Sequence, residues 1–314
     1  VTIRRRRTPR HLDLHVEVGG VVLPNPVMVA SGTAGHGAEL AGLVDLSRLG
    51  AVVTKSVCLE PWPGNPAPRV HETPSGMINS VGLQGPGIDR WLRDELPPLL
   101  SRGVRVVASI WGRSVEEYGE VARRLCRAEV MAVEVNLSCP NLGRDHTMFA
   151  HDPRSAAEVM KEVSEALDGI PAWAKLSPNT DRLVDVAAAV GEAGAAAVTL
   201  VNTLAGMIID LERRRPLLGG GGGGLSGPAI HPVAVRAVYD CRAALPELPI
   251  VGVGGVRTGA DAVELIMAGA DAVQVGTASF AEPDAALRVL EELEMWCDRH
   301  DVRTVSELQG VAHR

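Results

Sequence analysis

Short apolar runs with little polar alternation recur eight times along the chain: Val27–Ala30, Ala51–Thr54, Arg105–Ile110, Ala132–Val135, Ala172–Leu176, Ala197–Val201, Pro249–Val253 and Ala272–Val275. Runs of this kind suit strands buried on both faces, as in a parallel sheet. Between them the apolar spacing becomes that of a helix. Ser114 precedes Val115, Tyr118, Ala122 and Leu125, and Glu117 follows it at capping-box distance. Asp152-Pro153 reads as an N-cap followed by a first-turn proline. Asp181 is expected to open a helix carrying Leu183, Val186, Ala187 and Val190, with Gly194 closing it. Thr258 is expected to open another that ends near Gly269. Strand and helix alternating eight times predict an α/β fold, a (β/α)8 TIM barrel. A doubly wound sheet would put its Gly-rich turn after the first strand, whereas here Gly254-Gly255 and Gly276 follow the seventh and eighth runs.

Three refinements follow from the same pattern. Residues 11–26 alternate around Gly19-Gly20 and predict a β-hairpin covering the barrel bottom. Long loops follow strands 2, 4 and 6. Those at 57–90 and 204–227 are rich in Pro and Gly, and in a barrel they leave strand C-termini, where sites are built. The six glycines Gly219–Gly224 are expected to be a flexible stretch, or a mobile lid feeding Leu225-Ser-Gly-Pro228.

Composition narrows the function classes. At 314 residues the chain suffices for one large domain, expected over 11–314. No run approaches the roughly 18 apolar residues of a membrane span. Aromatic residues are 3% and the net charge is −7, which argues against a nucleic-acid partner. Arg4, Arg5, Arg6, Arg7 and Arg10 mark residues 1–10 as a basic, disordered tail, and no apolar segment follows that would make it a signal peptide. Five scattered cysteines without a CxxC pair imply free thiols, a cytoplasmic location and no metal or cluster ligand set.

The strand C-ends carry candidate chemistry. Gly254-Gly255 and Gly276-Thr277 follow strands 7 and 8, where barrels bind phosphate through backbone N–H groups. That implies a phosphorylated substrate or a cofactor such as FMN. Lys55 and Lys175 lie at the same end, and a buried lysine needs a partner. Asn79, Asn136, Asn141 and Asn202 each both donate and accept, as a planar ring with C=O and N–H groups requires. Cys139, in a Ser-Cys-Pro turn beyond strand 4, is a candidate base or nucleophile. His36, His71, His146 and His151 fall near the mouth without metal spacing and take no assigned role. A non-redox phosphate-binding isomerase or aldolase, and a barrel serving only as a binding partner, are rival readings.

Several segments in order resemble the class 1 dihydroorotate dehydrogenases, from about Leu12 to about Ser306: Gly64-Asn-Pro66 with Pro68-Arg-Val70, Asn79-Ser-Val-Gly-Leu-Gln84, Asn136-Leu-Ser-Cys-Pro-Asn141, Leu225-Ser-Gly-Pro-Ala-Ile230 and Val253-Gly-Gly-Val256. The resemblance implies an FMN-dependent enzyme that oxidises (S)-dihydroorotate to orotate in pyrimidine synthesis, with Cys139 as base. Membrane-associated class 2 has serine at that place. The stretch Asn141-Leu-Gly-Arg144 through Met148–Pro153 is more similar to class 1B than to the fumarate-using class 1A. Class 1B implies a homodimer within a heterotetramer, whose electron-transfer subunit carries FAD and a 2Fe–2S cluster and passes electrons to NAD+. By matching position, FMN would contact Ser31, Lys55, Ser56, Asn136, Lys175, Val201, Gly227, Gly254, Gly255, Gly276 and Thr277. Dihydroorotate would contact Lys55, Asn79, Ser80, Val81, Gly82, Leu83, Asn136, Asn202 and Thr203. The chain departs from the family pattern at Thr33–His36, at Gly85 and at Ser109, where asparagine is common at the last two. A class 1A enzyme or another flavin-dependent dihydropyrimidine dehydrogenase is the alternative, although the latter usually has His where this chain has Asn141.

Overall fold

Valine-rich runs with no polar alternation become strands with every residue buried, as a closed barrel wrapped in helices demands. The structure is a computed structural model and describes residues 12–138 and 148–314. In chain order the strands are β1 (Val16–Val18), β2 (Val21–Leu23), β3 (Val27–Val29), β4 (Ala51–Val53), β5 (Val70–Thr73), β6 (Gly76–Asn79), β7 (Val106–Ile110) and β8 (Ala132–Asn136). There follow β9 (Ala172–Lys175), β10 (Ala197–Leu200), β11 (Leu204–Gly206), β12 (Ile209–Asp210), β13 (Arg215–Pro216), β14 (Gly223–Ser226), β15 (Ile250–Val253) and β16 (Ala272–Val275). The parallel barrel runs β3-β4-β7-β8-β9-β10-β15-β16 and closes on β3. The predicted (β/α)8 architecture is the observed one.

Inside, the barrel is graded from apolar to polar. Met28, Val53, Val107 and Trp173 fill the bottom against Val18, Val21 and Leu23 of the β1–β2 hairpin. Its turn uses Gly19 and Gly20 at φ 53 and 80, the pair of positive angles a two-residue hairpin needs. Two residues further along several strands, the inward positions become Ser109, Glu134, Lys175, Thr199 and Gln274, all buried. Outside, the helices Val115–Leu125, Pro153–Ala166, Leu183–Glu192, His231–Ala244, Gly259–Ala268 and Ala285–Arg299 lay apolar faces on the strands. Ser114, Asp152 and Thr258 cap three of them as expected, Thr258 in a full capping box with Asp261.

Two expectations are corrected. The helix expected to open at Asp181 begins at Leu183. The Thr180 hydroxyl accepts the Arg182 N–H, which holds a turn before the first helical residue. The glycine run is not a loose stretch. Gly223 and Gly224 belong to β14, which pairs with β6 and β11 in a four-stranded antiparallel sheet ordered β11-β14-β6-β5. Gly219 N–H donates to Pro68 O at 2.8 Å. The glycines serve close approach: a Cβ at Gly224 would lie 2.0 Å from Thr203 Oγ1, and one at Gly220 2.3 Å from Ser80 Oγ.

Candidate active site

The barrel's C-terminal rim and the four-stranded sheet enclose a cavity with ≈ 1210 Å³ of atom-free space, its mouth included. The cavity brings together Ser31, Lys55, Ser56, Asn79, Val81, Gly82, Leu83, Asn136, Lys175, Val201, Asn202, Thr203, Gly227, Gly254, Gly255, Gly276 and Thr277. Ser80 stands behind this wall, its hydroxyl accepting from Asn65 Nδ2 at 2.9 Å. Cys139, Asn141 and His146 lie outside the described residues.

Strand alternation aims Lys175 into the barrel, and its surroundings fix it there. Its Nζ lies 3.7 Å from Glu134 Oε1, both side chains being buried. Glu134 Oε2 accepts from Thr199 Oγ1 at 3.1 Å and from Gln274 Nε2 at 2.9 Å. The ammonium therefore has a fixed carboxylate beneath it and the cavity above, where low dielectric strengthens its field on a ligand.

A chain of hydroxyls and amides crosses the floor. Ser56 Oγ is 2.8 Å from Ser109 Oγ and 3.4 Å from Ser31 Oγ, and accepts from Asn136 Nδ2 at 3.2 Å. Asn136 Oδ1 accepts from Ser138 Oγ at 3.0 Å, and Ser138 Oγ accepts from Asn202 Nδ2 at 2.6 Å. These bonds decide which atom of each amide remains for a ligand. Ser109, where the family often has asparagine, is fully buried behind Ser56 and does not line the cavity.

Beyond β15 and β16 the cavity wall is backbone. Gly227, Gly254 and Gly255 adopt φ of 94, 136 and 71. The N–H groups of Gly227, Gly255 and Thr277 have no hydrogen-bond partner among the described residues. Unpaired N–H groups in a glycine-rich turn form an anion seat. Thr277 Oγ1 donates to Ser226 Oγ at 2.7 Å, tying the seat to β14.

The segment after β6 is braced from outside. Trp62 Nε1 donates to Gly82 O at 3.0 Å, and Asn65 N–H donates to Val81 O at 3.0 Å. Leu83 is held at φ 58, a left-handed angle costing a non-glycine residue about 1–3 kcal/mol. Nearby, burial and then the Lys55 charge pull the His36 pKa below its ordinary 6.5, with Glu39 opposing. Its Nδ1 is buried without a hydrogen-bond partner among the described residues.

A closed parallel barrel with an anion seat after its seventh and eighth strands, and a lysine in its floor, is a ligand-binding enzyme scaffold. The family model for dihydroorotate dehydrogenase matches residues 13–296, and the chain belongs to that family. It is 48% identical over 300 residues to a Geobacter protein named dihydroorotate dehydrogenase B (NAD(+)), catalytic subunit, covering 95% of this chain and 98% of that one. Proteins of the same name from Geotalea uraniireducens and Desulforudis audaxviator are 47% and 49% identical, each over 95% of this chain. The match covers 98% and 97% of those two proteins.

The residues that sequence reasoning missed are mostly supports: Glu134, Ser138, Ser226 and the cavity-lining Met77 and Phe280. Glu134 had one available signal, an acid inside an otherwise apolar run.

Proposed function

We propose that this chain oxidises (S)-dihydroorotate to orotate, with FMN held in the cavity at the barrel rim. The observation that carries the reading is a buried ammonium and an unpaired backbone anion seat on two parts of one cavity. A cofactor with a phosphate at one end and a ring that gains electrons at the other would use both. Family membership and the relatives' names support the same substrate.

The residues present fit FMN. Gly227, Gly254, Gly255, Gly276 and Thr277 would hold its phosphate, and Ser31, Ser56, Asn136, Val201 and Lys55 would border its ring. When bound, FMN supplies a two-electron acceptor. Lys175, held by Glu134, would offer positive charge to the flavin, an electrostatic contribution oriented in advance. Asn79, Asn136, Asn202, Thr203 and the backbone of Val81–Leu83 would read the dihydroorotate ring and carboxylate. The strained, braced Leu83 keeps that segment in place before substrate arrives. Cys139 would take the C5 proton as general base. A free thiol ionises near about 8.5, so turnover should rise with pH into that range unless the site lowers it.

The relatives' names speak of a catalytic subunit and of NAD(+). We infer the same division here: a homodimer of this chain, with a partner carrying FAD and a 2Fe–2S cluster that delivers electrons to NAD+. Orotate formation with NAD+ plus partner, with fumarate and with a quinone separates class 1B from class 1A. Cys139→Ala should keep bound FMN and lose nearly all turnover. Full turnover in that variant would refute the base assignment.

A further inference from the structure

Directly behind the anion seat stands a buried histidine that the reaction above does not use. His231 opens the helix His231–Ala244. Its Nδ1 lies 2.9 Å from Gly254 O. Its Nε2 lies 3.1 Å from Glu264 Oε2 and 3.9 Å from Asp261 Oδ1. Both ring nitrogens therefore face oxygens that only accept. A neutral imidazole has one N–H and satisfies one of them, whereas the imidazolium satisfies both. Asp261 and Glu264, both on the helix Gly259–Ala268, are the charged groups at ion-pair distance from the ring among the described residues.

The carbonyl of Gly254 and the N–H of Gly255 belong to one peptide unit. That N–H has no partner among the described residues, and Gly255 lines the cavity. A hydrogen bond into a carbonyl polarises its peptide and strengthens the N–H on the other side. A charged donor does so most. The turn is also pressed onto the histidine, since a Cβ at Gly255 would lie 2.6 Å from His231 Cβ.

We propose that His231, held between Gly254 O and Glu264, is a positioning residue for the anion seat: through the Gly254–Gly255 peptide it sets how strongly the seat binds a phosphate monoester. The inference rests on reading the seat as the FMN phosphate site. It makes cofactor affinity depend on a histidine outside the cavity.

The test titrates FMN, and in parallel riboflavin, which lacks the phosphate, into the full chain stripped of flavin. Flavin fluorescence gives Kd for wild type, His231→Gln and Glu264→Gln, and the quantity read is the ratio of variant to wild-type Kd for each ligand. His231→Gln should weaken FMN about fivefold to tenfold, with riboflavin unchanged. Glu264 is exposed, so Glu264→Gln leaves the fold intact. It should weaken FMN in the same direction by a smaller factor. An unchanged FMN Kd in His231→Gln, or an equal loss for riboflavin, overturns the proposal and leaves His231 a packing residue. Absence of FMN binding to wild type overturns the reading of the cavity itself, and the proposal with it.

Discussion

Single side chains carry the charge logic of the cavity, and two of them give direct predictions. Glu134 is fully buried and balances Lys175. Glu134→Gln removes that counter-charge while keeping the shape, so the full lysine charge would face the flavin ring. The midpoint potential of bound FMN should rise, and the fold should lose about 3 kcal/mol, as when a buried pair is broken from one side. Spectroelectrochemistry and thermal melting read the two effects, and an unmoved or lowered potential would contradict this role. His36 supplies the pH dependence. Its folded pKa lies below the unfolded 6.5, so the unfolded chain binds the proton more readily. Its share of stability is complete above 6.5 and is lost as pH falls from there through the depressed folded value. Melting curves of His36→Gln and wild type should therefore converge on acidification, and parallel pH profiles would count against it. Lys175 was legible because a lone lysine in an apolar run has few bland explanations. Glu134 gave the same signal, but its pairing did not show, because its partners on β9, β10 and β16 become neighbours only when the barrel closes.

Elements of secondary structure show where pattern reading succeeds. The eight barrel strands were visible because each is buried on both faces and so lacks alternation. The rim sheet was not. Its strands are short, half-exposed and glycine-rich, and its pairing joins positions as far apart as Asn79 and Gly224, 145 residues along the chain. Six identical glycines read as slack, yet their environments differ. Gly222 has Gly206 O at 3.4 Å from where a Cβ would sit, whereas Gly224 has the Thr203 side chain at 2.0 Å. Gly222→Ala should be nearly silent. Gly224→Ala should cost about 1–3 kcal/mol by overpacking and weaken orotate binding, because Thr203 and Asn79 border the cavity there. Calorimetry on both variants checks the contrast, and equal behaviour would mean the sheet does not constrain the cavity wall.

For the whole molecule, the thiols report how the interior is closed. Burial pushes the Cys58 thiol up to about 11, Cys241 to about 12 and Cys297 to about 11. At about pH 8 these three should resist alkylation in the native protein and react once it is unfolded, as peptide mass spectrometry would show. Cys139, the proposed base, should react first in the absence of ligand. Among the described residues no helix is long and apolar enough to cross a membrane.

The claim that joins these scales is that one rim cavity brings dihydroorotate against a flavin. Its most direct test is anaerobic addition of dihydroorotate to the FMN-loaded chain with no other acceptor present. The visible flavin band should bleach stoichiometrically as orotate forms. Bound FMN that stays fully oxidised under saturating dihydroorotate would contradict the account.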